Sequence, residues 1–173
     1  MVHITHNKHR LLELTIHIIC WGLFFGFPLF FTQDDSGSID WREFINHSGV
    51  SLSFFVIFYI NYLLFIPKVL FKEHTGQFIL LNILLILVVS IGLRYWHNII
   101  AFPPPAPRRP HLPPQYIFYI RDITSMIFTV GLSVAIRMSL RWSATELERR
   151  EAVKSRTEAE LKNLRNQLNP HFL

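Results

Sequence analysis

The residues FILLNILLILVVSIGL at positions 78–93 contain no charged side chain, and Asn82 and Ser90 are their polar members. Three further apolar runs of similar length occupy positions 14–31, 50–66 and 116–136. Each run is about as long as a helix needs to cross a hydrocarbon core of about 30 Å. The four runs therefore predict four transmembrane helices.

Hydrophobic residues make up 50% of the chain, and their concentration in these runs argues against a soluble domain. The first run is predicted to stay in the mature protein, because it is long for a signal peptide and "TQDDSGS" after it offers no small-x-small cleavage site. The chain has one cysteine, Cys20, so an internal disulfide is excluded. The predicted spans are about 14–31, 47–69, 77–99 and 116–139, within a four-helix transmembrane region of residues 1–140.

Basic residues beside the spans predict the orientation of the chain. They precede the first span, join the second to the third and follow the fourth, as Lys8, Arg10, Lys68, Lys72, Arg137, Arg141, Arg149 and Arg150. The positive-inside rule places these segments in the cytoplasm, although Arg108 and Arg109 in the second outer loop argue the other way. We therefore expect a multi-pass inner (plasma) membrane protein with cytoplasmic N- and C-termini. Because the basic residues flank spans, we expect them to contact lipid headgroups, and the net charge of +5 is not taken to indicate binding to nucleic acid.

Ionisable residues at membrane depth are candidates for function. Arg94 lies late in the third predicted helix, and Arg121 and Asp122 lie early in the fourth, so antiparallel helices would bring all three near the outer face. There Arg94 and Asp122 could form a structural ion pair, or both arginines could snorkel to the interface; the alternative is an outward-facing sensing or ligand pocket. Asn61 and Asn82 stand at matching distances from the inner helix ends and are expected to hydrogen-bond across an interface.

Histidines offer a lesser alternative, a haem or metal-binding membrane protein. His47 and His97 are both near outer helix ends and are the pair that could share a site. Neither has a cysteine or carboxylate ligand set beside it in the sequence, so interfacial hydrogen bonding is the simpler interpretation and no metal site is predicted.

The segment SATELERREAVKSRTEAELKNLRNQLN at 143–169 contains no glycine or proline and is rich in helix-forming residues. It predicts one continuous helix. A seven-residue spacing links Leu140, Leu147, Lys154, Leu161 and Leu168, and Leu164 adds a partner three residues after Leu161. A solvated tail and a membrane-surface helix are alternatives, but a dimeric coiled coil over 141–168 is favoured. The predicted fold is thus an all-α membrane protein, with four transmembrane helices followed by a long cytoplasmic coiled-coil helix.

The residues EAELKNLRNQLNPHFL at 158–173 resemble the phosphoacceptor segment of the LytS-like sensor histidine kinase family, in which an acidic, leucine-rich helix runs into Asn-Pro-His-Phe-Leu-Phe-Asn. Asn169, Pro170, His171, Phe172 and Leu173 match the first five positions of that motif. The resemblance implies a homodimer in which His171 is autophosphorylated from ATP and passes the phosphoryl group to an aspartate of a cytoplasmic response regulator. On this interpretation residues 169–173 begin the phosphoacceptor motif.

The resemblance also implies an ATP-binding domain beyond residue 173, where ATP and Mg²⁺ would bind; this segment itself is expected to bind no cofactor and to be inactive alone. Many histidine kinases outside this family place an acid after the histidine, whereas Phe172 follows here. The main alternative is a non-enzymatic membrane adaptor that presents a coiled coil to a cytoplasmic partner.

Overall fold

The structure is a computed structural model that describes residues 2–32, 37–100 and 114–168. Four helices account for most of these residues: α1 is Val2–Gly26, α2 is Trp41–Ile60, α3 is Thr75–Ile100 and α4 is Gln115–Leu168. The described ranges contain no β-strand. The predicted all-α fold is confirmed.

The four helices contain four segments that are long and apolar enough to cross a membrane. The segments are Glu13–Phe30, Trp41–Lys72, Thr75–Ile100 and Tyr116–Gln167. Each overlaps one of the four predicted spans, and the last continues well beyond its predicted span because α4 is not interrupted there. The architecture fits a multi-pass membrane protein.

The chain divides into two compact units, Met1–Ser133 and Val134–Leu173. In the first unit α2 begins where Asp40 caps it: its carboxylate Oδ1 accepts hydrogen bonds from the backbone N–H groups of Arg42 at 2.9 Å and Glu43 at 3.2 Å. These bonds satisfy two of the donors that a helix start leaves without an intrahelical partner.

The end of α2 changes its winding. After Ile60 the chain forms a π-helical turn, Asn61–Phe65, in which the N–H of Ile66 bonds to the carbonyl of Asn61. Pro67 follows in the short helix Ile66–Lys68, and since proline has no N–H it cannot donate to the preceding turn. A 3₁₀ turn, Leu70–Lys72, then leads to Glu73, whose φ of 65° ends the helical segment. The proline thus explains why regular α winding stops near this end of α2.

The core of the first unit is small and is shared by three helices. Ile57 of α2, Leu93 of α3 and Met126 of α4 are buried together. The outward faces are apolar as well; on α3 the exposed side chains include Ile79, Leu80, Ile83, Leu84, Leu87, Val88 and Ile91. An apolar exterior around a tightly packed interior is expected when lipid, not water, is the solvent.

In the second unit α4 carries charged pairs one turn apart along its surface. Arg150 Nε lies 3.0 Å from Glu146 Oε1, and Arg156 Nε lies 2.9 Å from Glu160 Oε1. Such exposed pairs each stabilise a helix by about 0.3–0.5 kcal/mol. These ion pairs stabilise the continuous helix that the sequence predicted over this segment.

Candidate functional site

The predicted phosphoacceptor, His171, lies outside the described residues, as do Asn169, Pro170 and Phe172. The helix α4 is described up to Leu168, the residue before Asn169. The structure therefore describes the helix that precedes the motif and the polar groups of the membrane region.

Three of the leucines that the sequence assigns to the coiled-coil core are exposed in α4. Leu147, Leu161 and Leu164 have between 55% and 61% of their surface accessible. Leu161 and Leu164 are three residues apart, so they lie on the same side of the helix. We call the exposed residues Leu147, Leu161 and Leu164 the leucine stripe. A stripe of this kind on a helix with charged flanks is available for a partner helix.

The membrane-depth cluster forms in part. Asp122 Oδ1 accepts hydrogen bonds from Nε of Arg121 at 2.9 Å and from Nη2 at 2.8 Å, and only 14% of the Asp122 side chain is exposed. The predicted partner Arg94 lies instead over the ring of Tyr119, 5.7 Å from its centroid. The Arg94–Asp122 pair that the sequence allowed is thus not seen, because the carboxylate is bound by Arg121, the preceding residue in the chain.

Three polar contacts join the start of α2 to the end of α3, and of these the sequence indicated only that His97 forms an interfacial hydrogen bond. Arg42 Nε donates to the carbonyl of Ile100 at 3.1 Å, which satisfies a carbonyl at the C-terminal end of α3. Trp96 Nε1 donates to the carbonyl of Ile45 at 3.1 Å. Asn46 Oδ1 and His97 Nδ1 are 2.6 Å apart. An arginine, a tryptophan and a histidine at matching helix ends were the signals that could have indicated these contacts.

The two histidines of the haem or metal alternative have different partners. His47 Nε2 lies 3.8 Å from Glu43 Oε1, whereas His97 bonds to Asn46. Within the part of the chain that the structure describes, no group of three or more histidine, cysteine, aspartate or glutamate side chains is arranged to hold a metal ion.

Gly49 allows α2 and α3 to approach closely beside these contacts. A Cβ at this position would lie 2.6 Å from Nε1 and 3.0 Å from Cγ of Trp96, which is too close for real atoms. The small residue is therefore needed where the indole ring crosses α2 to reach the carbonyl of Ile45.

Gly49→Ala is expected to destabilise the protein by about 1–3 kcal/mol, because the methyl group must displace Trp96 and weaken its hydrogen bond. Gly92→Ala is the matched control: a Cβ at Gly92 meets nothing within 4 Å, and alanine is the better helix former. Thermal unfolding in lipid nanodiscs checks the pair, and equal midpoints for both variants would contradict the close contact.

Aromatic side chains hold α1 against α2. Trp21 contacts the rings of Phe55, Phe58 and Tyr59, with centroids 4.9, 5.8 and 6.1 Å away. At the same interface Tyr59 Oη and His17 Nδ1 are 3.1 Å apart. Tyr62 donates a 2.5 Å hydrogen bond to Glu13 Oε1. Since Glu13 and His17 of α1 each have a tyrosine partner in the second candidate span, this interface fixes which side of α1 faces the bundle.

Trp21→Ala is expected to cost about 2–4 kcal/mol, because each of the three ring contacts contributes about 0.5–1.5 kcal/mol. Leu23→Ala on the same helix is the control, since Leu23 is largely exposed and faces away from the bundle. Unfolding by SDS titration measures both costs. A Leu23 variant as destabilised as the Trp21 variant would contradict the assignment of the aromatic contacts.

Asn61 and Asn82 do not bond to each other as predicted. The Nδ2 of each donates to the carbonyl four residues earlier in its own helix, Asn61 to Ile57 and Asn82 to Phe78, both at 3.0 Å. Both side chains are buried, and a helix offers its own carbonyls at the right distance, so this local bond competes successfully with a bond across the interface.

Comparison of the chain with protein-family models, with curated proteins and with solved structures finds no match.

Proposed function

We propose that this chain is the membrane sensor and signal-transmitting part of a LytS-like sensor histidine kinase. One observation carries the proposal: α4 extends over Gln115–Leu168, from the fourth candidate span to the residue before the Asn-Pro-His-Phe-Leu sequence. A membrane helix that leads directly into such a sequence supplies what a phosphoacceptor needs, which is a covalent connection to the sensing region.

The proposed chemistry takes place at His171. A neutral imidazole nitrogen attacks the terminal phosphorus of ATP in line, a nitrogen–phosphorus bond forms and the bond to the ADP oxygen breaks. The phosphoryl group then passes to an aspartate of a response regulator. Proline has no backbone N–H to donate within a helix, and this is the proposed reason for Pro170 directly before the phosphoacceptor. ATP and Mg²⁺ belong to the downstream domain that the resemblance implies.

A second copy of the chain is the proposed partner of the leucine stripe. Leu161 and Leu164 occupy successive core positions of a heptad, whereas the core positions Arg150, Lys154 and Thr157 are polar. A parallel homodimer would bury the leucines and leave a weak seam in the middle. Such a seam allows two arrangements of similar energy, which is what a signal-transmitting coiled coil needs.

The proposed orientation has both termini in the cytoplasm of a cell bounded by an inner (plasma) membrane. In that orientation the Arg121–Asp122 pair and Arg94 lie near the outer face of the bilayer. We place the input there, because the loops on that side are short and ionisable groups at membrane depth are costly to keep without a role.

The same leucine stripe favours one other candidate, a non-enzymatic adaptor that presents α4 to a cytoplasmic protein. Incubation of the full-length protein, in membranes, with ATP labelled on its γ-phosphate separates the two. The kinase proposal expects acid-labile, alkali-stable label on the protein. An adaptor takes up no label at any ATP concentration, and that result would remove the kinase proposal.

A further inference from the structure

A narrow apolar groove lies between α2 and α3, within the second and third candidate spans. Its volume is about 170 Å³. The residues that line it include Gly49, Leu52 and Val56 of α2 and Val89, Gly92 and Trp96 of α3. The groove opens outward, because Leu52 and Gly92 are exposed. An apolar group must fill such a space, since a void forfeits dispersion contacts and the hydrocarbon core holds no water to occupy it.

The polar donors on the walls of the groove are used inside the protein. Trp96 Nε1 donates to the carbonyl of Ile45 at 3.1 Å, and Ser53 Oγ donates to the carbonyl of Gly49 at 2.8 Å. Neither side chain has a second donor to offer to a molecule in the groove. An alkyl chain suits this lining because it requires no hydrogen bond.

Arg42 lies at the membrane end of the same helix pair. Its Nε donates to the carbonyl of Ile100 at 3.1 Å, so the side chain reaches from α2 to α3. Arg42 is seven residues before Gly49, which places it about 10 Å from Gly49 along α2 and within about 20° of the same side of the helix. The second candidate span begins at Trp41 and the third ends at Ile100, so the guanidinium is at the depth of the lipid headgroups.

The guanidinium of Arg42 is available to an anion. Its Nη1 and Nη2 atoms have no hydrogen-bonding or ion-pair partner within the part of the chain that the structure describes. The two acids beside it are engaged elsewhere: Asp40 Oδ1 accepts from the first backbone N–H groups of α2, and Glu43 Oε1 lies 3.8 Å from His47 Nε2. The terminal N–H groups of an arginine match the oxygens of a phosphate in pairs.

We propose that α2 and α3 bind one phospholipid, with its phosphate on Arg42 and one acyl chain in the groove. The two helical turns between Arg42 and Gly49 leave room for the glycerol and its ester groups. A second copy of the chain suits the groove less well, because a helix is about 10–12 Å wide and would insert only a side chain into this volume. The site is independent of phosphotransfer at His171.

Photo-crosslinking of the full-length protein in lipid nanodiscs tests the site. The nanodiscs are made of phosphatidylcholine with a trace of one of two probes, phosphatidylglycerol or diacylglycerol, that carry the same diazirine-labelled acyl chain. Tandem mass spectrometry assigns the labelled residues, and label at Leu52 and Val56 is divided by label at Leu87, which is exposed on α3 outside the groove. This ratio is expected to be roughly tenfold higher for phosphatidylglycerol, because that probe alone brings a phosphate to Arg42.

Two arginine variants examine the contact with the phosphate. Arg42→Gln removes the charge and keeps a donor for the carbonyl of Ile100, so the two probes are expected to label the groove equally. Arg94→Gln is the matched control, because Arg94 lies over the ring of Tyr119 and does not line the groove. The roughly tenfold preference for the phosphate-bearing probe is expected to remain in this variant.

Two glycine variants examine the acyl chain. A Cβ at Gly92 meets nothing within 4 Å, so Gly92→Leu is expected to fill the groove and to remove most of the label from Leu52 and Val56 with either probe. Gly131→Leu, at an equally open position on α4, is expected to change neither. Equal ratios for the two probes in the unchanged protein would mean ordinary bilayer lipid. Label at Leu87 with none in the groove would mean that a protein segment fills it, and either result would overturn the site.

Discussion

Replacement of His171 by glutamine in the full-length protein is expected to reduce ATP-derived label to background. Glutamine has a similar length and remains polar, but its amide nitrogen is not a nucleophile, so no phosphoramidate can form. The measurement is the amount of alkali-stable label per protein after incubation of membranes with γ-labelled ATP. The unchanged protein and the His171→Gln variant are compared in liposomes at equal protein content, so that a difference in expression cannot account for a difference in label.

His74→Gln is the matched control for this substitution. His74 is exposed in the segment between the second and third candidate spans, on the same predicted side of the membrane as His171. Its backbone N–H and carbonyl bond to Val69 and Phe78, and neither bond involves the imidazole. Full label in the His74 variant and none in the His171 variant is the expected pattern. Label that persists after His171→Gln would refute the assignment of the phosphoacceptor.

Cysteine cross-linking is expected to give the second large effect. In a Cys20→Ser background, Leu164→Cys should form an intermolecular disulfide in most of the protein within minutes of mild oxidation. In a parallel coiled coil the side chains at a core position face their counterparts, and disulfides require Cβ atoms about 3.5–4.5 Å apart. The readout is the fraction of dimer on non-reducing gels.

Ala159→Cys serves as the control on the opposite side of α4. Ala159 is five residues before Leu164, which places it about 140° away around the helix, and it is fully within the described, exposed part of α4. Leu161→Cys is expected to cross-link like Leu164→Cys, whereas Ala159→Cys is expected to stay uncross-linked and to run as single chains on the gel. Equal cross-linking at positions 159 and 164 would indicate random collision and would contradict a specific coiled coil.

The helices of the membrane region were predictable because the bilayer leaves the backbone few choices. A chain in hydrocarbon must satisfy every backbone N–H and C=O internally, so a long apolar run becomes a helix. The run at 78–93 accordingly lies inside α3, Thr75–Ile100.

The polar contacts between helices were not predictable in the same way. When both the lipid-facing and the inward-facing sides of a helix are apolar, composition does not define its rotation. The sequence therefore allowed Arg94 as the partner of Asp122, and the contact of Trp96 with Gly49 was missed. The local bonds of Asn61 and Asn82 with their own helices show the same limit, because a sequence does not reveal which of two available acceptors a side chain uses.

The coiled coil and the role of His171 stay predictions for a different reason. The leucine stripe is a property of one chain, whereas a coiled coil requires two. The phosphoacceptor motif occupies residues beyond the described end of α4. Both rest on the residue types at 158–173 and on the continuity of the helix that leads to them.

Locating the phosphoryl group by mass spectrometry tests the central claim most directly. Full-length protein phosphorylated by ATP is digested with trypsin at neutral to mildly alkaline pH, which cleaves after Arg165 and releases a peptide that begins at Asn166. Electron-transfer fragmentation then assigns the modified residue. The account predicts a phosphate on the His171 side chain of that peptide. Phosphate found on any other residue, with this peptide unmodified, would contradict it.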